Sequence, residues 1–327
     1  MLGKIFITRH LFQETVKRLR AEVEVEENTE DRILSKPELI QRLTGLDGVI
    51  PLLPNVVDRE VLESAPKLKV VANFGVGVDH IDVSAATELG IVVTNTPGVL
   101  TETTADLAWS LLMAAARRIV EADNFMRAGK FTAWGPKMLL GTDVYGKTLG
   151  IIGLGRIGQA IARRARGFNM RVIFTDAGRV KDDAIRELGA TRVSLEELLR
   201  TSDYITLHAP LTPQTTHLLN DRAFEMMKPS CIVINTSRGP VVDEKALVRA
   251  LKNGRIAGAA LDVFEHEPKV EPELLEMSNV VVAPHIGSGS YETRLKMSEM
   301  AADNLLSVLK GQRPPNIVNP DVWEYRR

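Results

Sequence analysis

Short runs of aliphatic and β-branched residues alternate with longer segments whose apolar positions recur three and four residues apart. In the first hundred residues the runs are KIFIT (4–8), GVIP (48–51), KVVANF (69–74) and IVVTN (91–95). Between them LFQETVKRLR (11–20) and KPELIQRLT (36–44) carry helical spacing. A long helix-forming stretch over about 101–128 follows. A second series of runs then begins: LGIIGL (149–154), RVIFTD (171–176), YITLHA (204–209), CIVINTS (231–237), AGAALDVF (257–264) and NVVVAPH (279–285). Helical segments such as IGQAIARRARGF (157–168) and DEKALVRALKNG (243–254) separate most of these. A last helix is expected over about 291–310, before Pro314 and Pro315 stop helix formation. Uniformly apolar strands alternating with helices predict an α/β fold with parallel sheets covered on both faces.

The chain has 327 residues, which favours two domains over one core. A net charge of −1 argues against a nucleic-acid-binding surface and against a polybasic membrane anchor, both of which need a cationic excess. One cysteine, Cys231, excludes an intrachain disulfide and fits a reducing compartment. The opening MLGKIFITRH reads as a strand, because its apolar run is too short for a secretory signal. The most apolar long segment, ADLAWSLLMAAARRIV (105–120), is too short and too charged to span a bilayer. The expectation is a cytoplasmic, two-domain protein.

Gly153, Gly155 and Gly158 form a GxGxxG pattern between an apolar strand and an amphipathic helix. That context is what a dinucleotide needs. The first glycine allows a tight turn, the second lets backbone approach a pyrophosphate, and the third lets helix pack on strand. The turn residues Leu154, Arg156 and Ile157 join the candidate set, since the helix start offers free N–H groups to phosphate. The alternative is a purely structural glycine turn. Asp176 ends the next strand, eighteen residues after Gly158. A carboxylate there accepts from both ribose hydroxyls and repels a 2′-phosphate, which favours NAD(H) over NADP(H). Arg179 in the same loop works against that preference, and a loop or capping role for Asp176 stays open.

Three polar residues fall at or just past strand ends in the second series: Arg238, Glu267 and His285. Their chemistry is complementary. Arg clamps a carboxylate with parallel hydrogen bonds and helps polarise a carbonyl. Hydride reduction of a 2-keto acid builds charge on oxygen that needs a proton, and His suits that donor role. A neighbouring Glu favours the protonated imidazole and fixes its orientation. Each residue alone also has a plainer reading: a buried satisfied His, a surface ion pair, a loop carboxylate. No HExxH or cysteine cluster points to a metal.

With these residues in view, the chain resembles the D-2-hydroxyacid dehydrogenases along nearly its whole length. The segments that carry the resemblance include NFGVGVDHIDV, TNTPGVLTETTADLAWSLL, GKTLGIIGLGRIGQAIA, HAPLTPQTTHLLN, INTSRGPVVDEKAL, ALDVFEHEP and APHIGSGSYETR. The resemblance implies two Rossmann-like doubly wound domains. A dinucleotide domain (99–286) would be inserted into a catalytic domain with a flavodoxin-like sheet (1–98 and 287–327), with substrate in the cleft between them. It implies that Arg238 binds the substrate carboxylate, that Glu267 supports the acid, and that His285 donates the proton. It adds the Val76 and Gly77 backbone N–H groups for the carboxylate. It places Thr104, Thr236 and Asp262 near the nicotinamide end, and has Pro210 and Thr215 line the cofactor.

Within the family, FTAWGPKMLLGTDVYGKT (131–148) most resembles glyoxylate/hydroxypyruvate reductases. Trp134 matches a loop tryptophan that reaches a partner subunit's active site in some relatives; the alternative is a dimer-packing aromatic. Many relatives of that subgroup take NADPH and carry Arg or Ser–Arg where this chain has Asp176, which points to NADH here. Trp109, Leu111, Leu112 and Met113 cannot all face one interior stripe, so a homodimer, the family's assembly, is expected to cover part of that helix. The expected activity is NADH-dependent reduction of glyoxylate, and of hydroxypyruvate, a small 2-keto acid giving a 2-hydroxy acid. Phosphoglycerate and D-lactate dehydrogenases remain alternatives, as does a dinucleotide-sensing, corepressor-like binding protein.

Overall fold

The structure is a computed structural model that describes residues 1–30 and 32–327. Its strands are β1 (Lys4–Ile7), β2 (Glu24–Glu27), β3 (Gly48–Ile50), β4 (Val70–Ala72), β5 (Val92–Thr94), β6 (Thr148–Ile152), β7 (Arg171–Thr175), β8 (Thr191–Arg192), β9 (Tyr204–Leu207), β10 (Ile232–Asn235), β11 (Gly258–Leu261) and β12 (Val280–Val282). Its helices are α1 (Gln13–Arg20), α2 (Lys36–Leu43), α3 (Arg59–Glu63), α4 (Val83–Glu88), α5 (Thr101–Ala116), α6 (Ile119–Arg127), α7 (Arg156–Arg166), α8 (Asp182–Leu188), α9 (Leu195–Thr201), α10 (Asp221–Met226), α11 (Glu244–Lys252), α12 (Pro272–Glu276) and α13 (Tyr291–Leu309). The chain forms two compact units, one of residues 1–100 with 290–327 and one of residues 101–289.

The first unit is built on a parallel sheet of order β2-β1-β3-β4-β5, the flavodoxin-like order. Side chains alternate across it. Phe6, Val49, Val71 and Val93 face a core shared with α2, α3 and α4. Ile5, Ile7, Ile50, Val70 and Val92 face the other core, completed by α1 and by Ala301, Ala302, Leu305 and Leu306 of α13. The end of the chain thus supplies one cover of a sheet made by its beginning.

The second unit holds a parallel sheet of order β12-β11-β10-β9-β6-β7-β8. The order reverses between β6 and β9, the doubly wound switch point. Leu149, Ile151, Val172 and Phe174 pack with α5 and α7 on one face. Ile205, Leu207, Val233 and Leu261 pack with α9, α10 and α11 on the other. Both sheets are α/β doubly wound, as the resemblance implied.

The expected helix over 101–128 is two helices. It breaks at Arg118, whose φ of 53° is left-handed. The physical cause is the segment 141–142, which crosses the end of α5. Thr142 N–H donates to the Ala116 carbonyl at 2.8 Å, and a Cβ on Gly141 would lie 2.2 Å from that oxygen. The carbonyl that would continue the helix is therefore taken. Arg118 closes the break by binding both oxygens of Glu121 at 2.7 Å.

Part of the apolar surface of α5 is covered within its own unit. Leu111, Leu112 and Ala116 are buried in the unit's own core, and Trp109 lies 4.9 Å from the Phe168 ring. Further along the same stretch Ile119, Val120 and Met126 of α6, and then Phe131, Trp134 and Leu140, are exposed. No helix among the described residues is long and apolar enough to cross a membrane.

Leu305 is fully buried against β3 and would touch a Cβ placed on Gly48. Leu305→Ala should destabilise the protein by about 2–5 kcal/mol, because the site between helix and sheet cannot collapse. A urea unfolding midpoint shifted downward checks this, and an unchanged midpoint would show that α13 does not cover the sheet as described.

Candidate active site

The glycine turn lies between β6 and α7, at the switch point. Gly153 has φ +94°, and a Cβ there would meet the His208 carbonyl oxygen at 2.7 Å. A Cβ on Gly158 would fall 2.1 Å from the Gly153 carbonyl oxygen, so only glycine lets α7 start against the strand. A Cβ on Gly155 would meet nothing within 4 Å. That open side, with Leu154 in the turn and Arg156 and Ile157 in the first turn of an α7 whose start has no side-chain cap, fits a pyrophosphate.

Asp176 follows β7. Its Oδ2 accepts from Leu154 N–H at 2.6 Å and its Oδ1 from Gly178 N–H at 2.7 Å. The carboxylate is thereby fixed beside the glycine turn. Arg192 supports the same loop, donating to the carbonyls of Asp176 and Gly178 at 2.8 and 3.1 Å. Arg179, Lys181 and Arg186 flank an open cleft nearby with Asp182 and Asp183.

Beyond β9, burial pushes His208 down to about 3 and so keeps it neutral. Thr215 Oγ1 donates to the Pro210 carbonyl at 2.6 Å, which closes the 210–215 loop. Thr236 follows β10 and Asp262 follows β11. Thr236 Oγ1 and Asp262 Oδ2 are buried without a hydrogen-bond partner among the described residues. Buried polar atoms are almost always bonded, so the pair suits a polar ligand such as a carboxamide or ribose. Thr104 on α5 joins them, because a Cβ on Gly287 would lie within 3.6 Å of both Asp262 Oδ2 and Thr104 Oγ1.

The three strand-end residues come from separate loops of this unit. His285 Nδ1 and Glu267 Oε2 are 2.8 Å apart. Glu267 Oε1 accepts from Phe264 N–H at 3.0 Å. Burial works to raise the Glu267 carboxyl, but the His285 hydrogen bond and charge, the Phe264 N–H and the nearby Arg238 guanidinium hold it below the usual carboxylate range. His285 has φ 53°, a left-handed conformation that a non-glycine residue keeps only when its surroundings impose it. Asp262 imposes it. The Asp262 carbonyl accepts from His285 N–H at 2.8 Å, and its Oδ1 accepts from Ile286 N–H at 2.7 Å. Burial raises the Asp262 carboxyl to about 6, against the pull of these N–H groups and of His285. Arg238 opens the loop after β10 and donates to the Ser237 carbonyl at 2.8 Å.

Val76 and Gly77 belong to the first unit. Asn73 Nδ2 donates to the carbonyls of Gly75 and Gly77 at 3.1 and 2.9 Å, and Asn95 Nδ2 to that of Val76 at 2.8 Å. Three successive carbonyls are tied to side-chain amides, a bracing that nothing in the local pattern announces. Trp134 lies in the segment after α6 and is 78% exposed.

The family model described as D-isomer specific 2-hydroxyacid dehydrogenase, NAD binding domain, matches residues 109–287. A glyoxylate reductase from Korarchaeum cryptofilum is 51% identical over 100% of this chain and 98% of its own length. A protein of known structure from Thermus thermophilus superposes with TM-score 0.90 at 46% identity, covering 96% of this chain and 99% of that one. An NADPH-dependent glyoxylate/hydroxypyruvate reductase from Sinorhizobium meliloti, solved with NADP and malonate, superposes with TM-score 0.88 at 34% identity, covering 100% and 99%. With matches that run through both units, the chain belongs to the D-isomer specific 2-hydroxyacid dehydrogenase family, as an oxidoreductase with a nicotinamide dinucleotide-binding domain.

Proposed function

We propose that this protein reduces glyoxylate, and hydroxypyruvate, with NADH. The observation that carries the reading is the His285–Glu267 pair at 2.8 Å on the edge of the sheet that also bears the glycine turn. The similar glyoxylate reductase at 51% identity supports the substrate.

When bound, the nicotinamide would supply the hydride that reduces C2 of the keto acid. Everything else falls to the chain. Because Glu267 occupies Nδ1, Nε2 is the ring nitrogen of His285 that gives its proton to the developing alkoxide. Glu267 fixes the ring through that bond. Arg238 holds the substrate carboxylate and draws charge from the carbonyl. In the first unit, the braced Val76–Gly77 turn is assigned as an anion-binding backbone. Gly153 to Gly158 hold the pyrophosphate, Asp176 the adenosine ribose, Pro210 and Thr215 the cofactor's flank, and Thr104, Thr236 and Asp262 the nicotinamide end. The exposed apolar residues of α6 and the following segment form a homodimer face, where Trp134 is available to a partner subunit's substrate.

Oxidation of NADH, read by its absorbance with glyoxylate, hydroxypyruvate, pyruvate and 3-phosphohydroxypyruvate, tests the reading. Turnover should be fastest on glyoxylate. Arg238→Gln should lower kcat/KM by at least about a hundredfold while NADH affinity stays near wild type, since a charged bidentate contact is lost. Unchanged turnover in that variant would sink the assignment.

Asp176→Ser should move the NADH-to-NADPH ratio of kcat/KM toward NADPH by about tenfold or more, because a carboxylate facing a 2′-phosphate is removed. Arg179, three residues on in the same loop, is assigned as the cation that a 2′-phosphate would meet. A wild-type preference for NADPH would keep the enzyme and overturn the role given to Asp176.

The raised Asp262 carboxyl has a stability signature. Its protonated form favours the fold, so its contribution is present below the ordinary aspartate value and is lost as pH rises through about 6. In the cofactor-free protein Asp262→Asn should therefore gain stability over wild type above that pH, by about 2–3 kcal/mol. The gain should shrink toward about pH 4, where both side chains are neutral. Thermal melts across pH decide it, and a pH-independent difference would rule the titration out.

A further inference from the structure

A second histidine–glutamate pair lies outside the residues assigned to the reaction. His217, in the segment between β9 and α10, has φ 50°. Its Nε2 is 2.6 Å from Glu265 Oε1, and its own N–H donates to the Pro240 carbonyl at 2.8 Å. Pro240 is two residues past Arg238, and Glu265 is two residues before Glu267. One residue thus bonds the Arg238 loop with its backbone and the Glu267 loop with its side chain.

The far side of Glu265 is held as well. Its Oε2 accepts from Glu244 N–H at 3.2 Å, at the start of α11. The Glu244 carboxylate answers, accepting from Glu265 N–H and, at 3.5 Å, from Glu271 N–H. These two N–H groups stand at the two ends of the loop that carries Glu267. Glu244 is 4% exposed and burial raises its carboxyl; a group so placed is kept where its bonds have a use. Against this frame the Arg238 loop is pressed directly, for a Cβ on Gly239 would fall 1.9 Å from the Phe264 carbonyl. Phe264 N–H in turn donates to Glu267.

We propose that His217 is a positioning residue: with Glu265 and Glu244 it forms a strut that holds Glu267 in bonding register with His285 and couples that register to the Arg238 loop. The proposal rests on the reading of His285 as proton donor. Its geometry does not, and part of the test is independent of turnover. The His217 side chain is 42% exposed, so it packs little and its removal should leave the fold intact. A left-handed non-glycine residue at such a crossing is strain retained for a purpose.

The variants are His217→Ala, which removes the strut, and His217→Gln, which keeps a donor for Glu265. In the alanine variant kcat/KM should fall about tenfold through misplacement of the acid, with NADH affinity and melting temperature near wild type. The pH profile should move in a defined direction. Glu267 is faced by His285, the Phe264 N–H, Arg238 and the Asp262 carboxyl, and the bond to His285 keeps it low. Loosening that bond raises it, so the acidic limb of kcat/KM should move to higher pH. In the cofactor-free protein, with six histidines in the chain, the ring Cε1–H resonance of His285 can be assigned by substitution. It should shift in His217→Ala and return in His217→Gln. A fall in kcat/KM with an unmoved acidic limb and an unmoved resonance would make His217 merely structural and overturn the proposal. Wild-type kinetics in the alanine variant would overturn it too. If wild-type protein turns over none of the keto acids, the substrate reading fails, and the His285 resonance still decides the strut.

Discussion

Every ladder in the seven-stranded sheet is parallel, and a parallel sheet has one carboxyl edge. That constraint organises the second unit. β6, β7, β9, β10, β11 and β12 each end on the same edge, so the loops after them meet although they are far apart in the chain. The glycine turn, Asp176, Thr236, Arg238, Asp262, Glu267 and His285 all belong to those loops. The apolar runs that precede them are largely buried, with Val282 at the end of β12 exposed, and the polar residues that follow them are delivered to the edge. Packing decides where the side chains go, and chemistry decides only which residue type is kept there.

The electrostatics follow from how each carboxylate at that edge is solvated. Burying an ionised carboxylate is costly unless donors replace the lost water. Glu267 has its replacements: a backbone N–H, a histidine ring and a nearby guanidinium, and it stays ionised below the usual range. Asp262 is more deeply buried, keeps one oxygen unpaired, and is raised to about 6. Two carboxyls around one histidine are thus driven apart, which is how a single neighbourhood separates a group that must hold charge from one suited to hydrogen-bonding a ligand.

Much of this was legible in the sequence because the strands that carry the site are short apolar runs. All ten runs picked out by their apolar character are strands. The two that were not picked out, β2 and β8, each lie at one edge of their sheet. An edge strand has one neighbour and a wet side, so β2 can be Glu-Val-Glu-Glu and β8 Thr-Arg, with no apolar signature to find. The broken helix was equally hidden, since residues 101–128 are good helix formers throughout; the break comes from a distant segment that captures the Ala116 carbonyl. Motif spacing exposed Arg238, Glu267 and His285 because each follows a strand. His217 follows a turn, Glu244 opens a helix, and Asn73 acts through its amide on a neighbouring loop. Their roles exist only as tertiary hydrogen bonds, and a single sequence carries no mark of those.

The two left-handed histidines show how such bonds are sustained. Each conformation costs on the order of 1 kcal/mol or more, and each is held by a carbonyl from another loop of the same edge. His285 N–H is taken by Asp262 and His217 N–H by Pro240. The loops therefore latch one another: the loop after β11 sets the backbone of the loop after β12, and the loop after β10 sets that of the segment after β9. Glycine at either position would relieve the strain and keep the latching N–H, but would lose the ring that the latch aims. A side chain held at an unfavourable φ by a neighbouring loop reports that loop's position, and at this edge both strained side chains point their rings at the same short segment, Glu265 to Glu267.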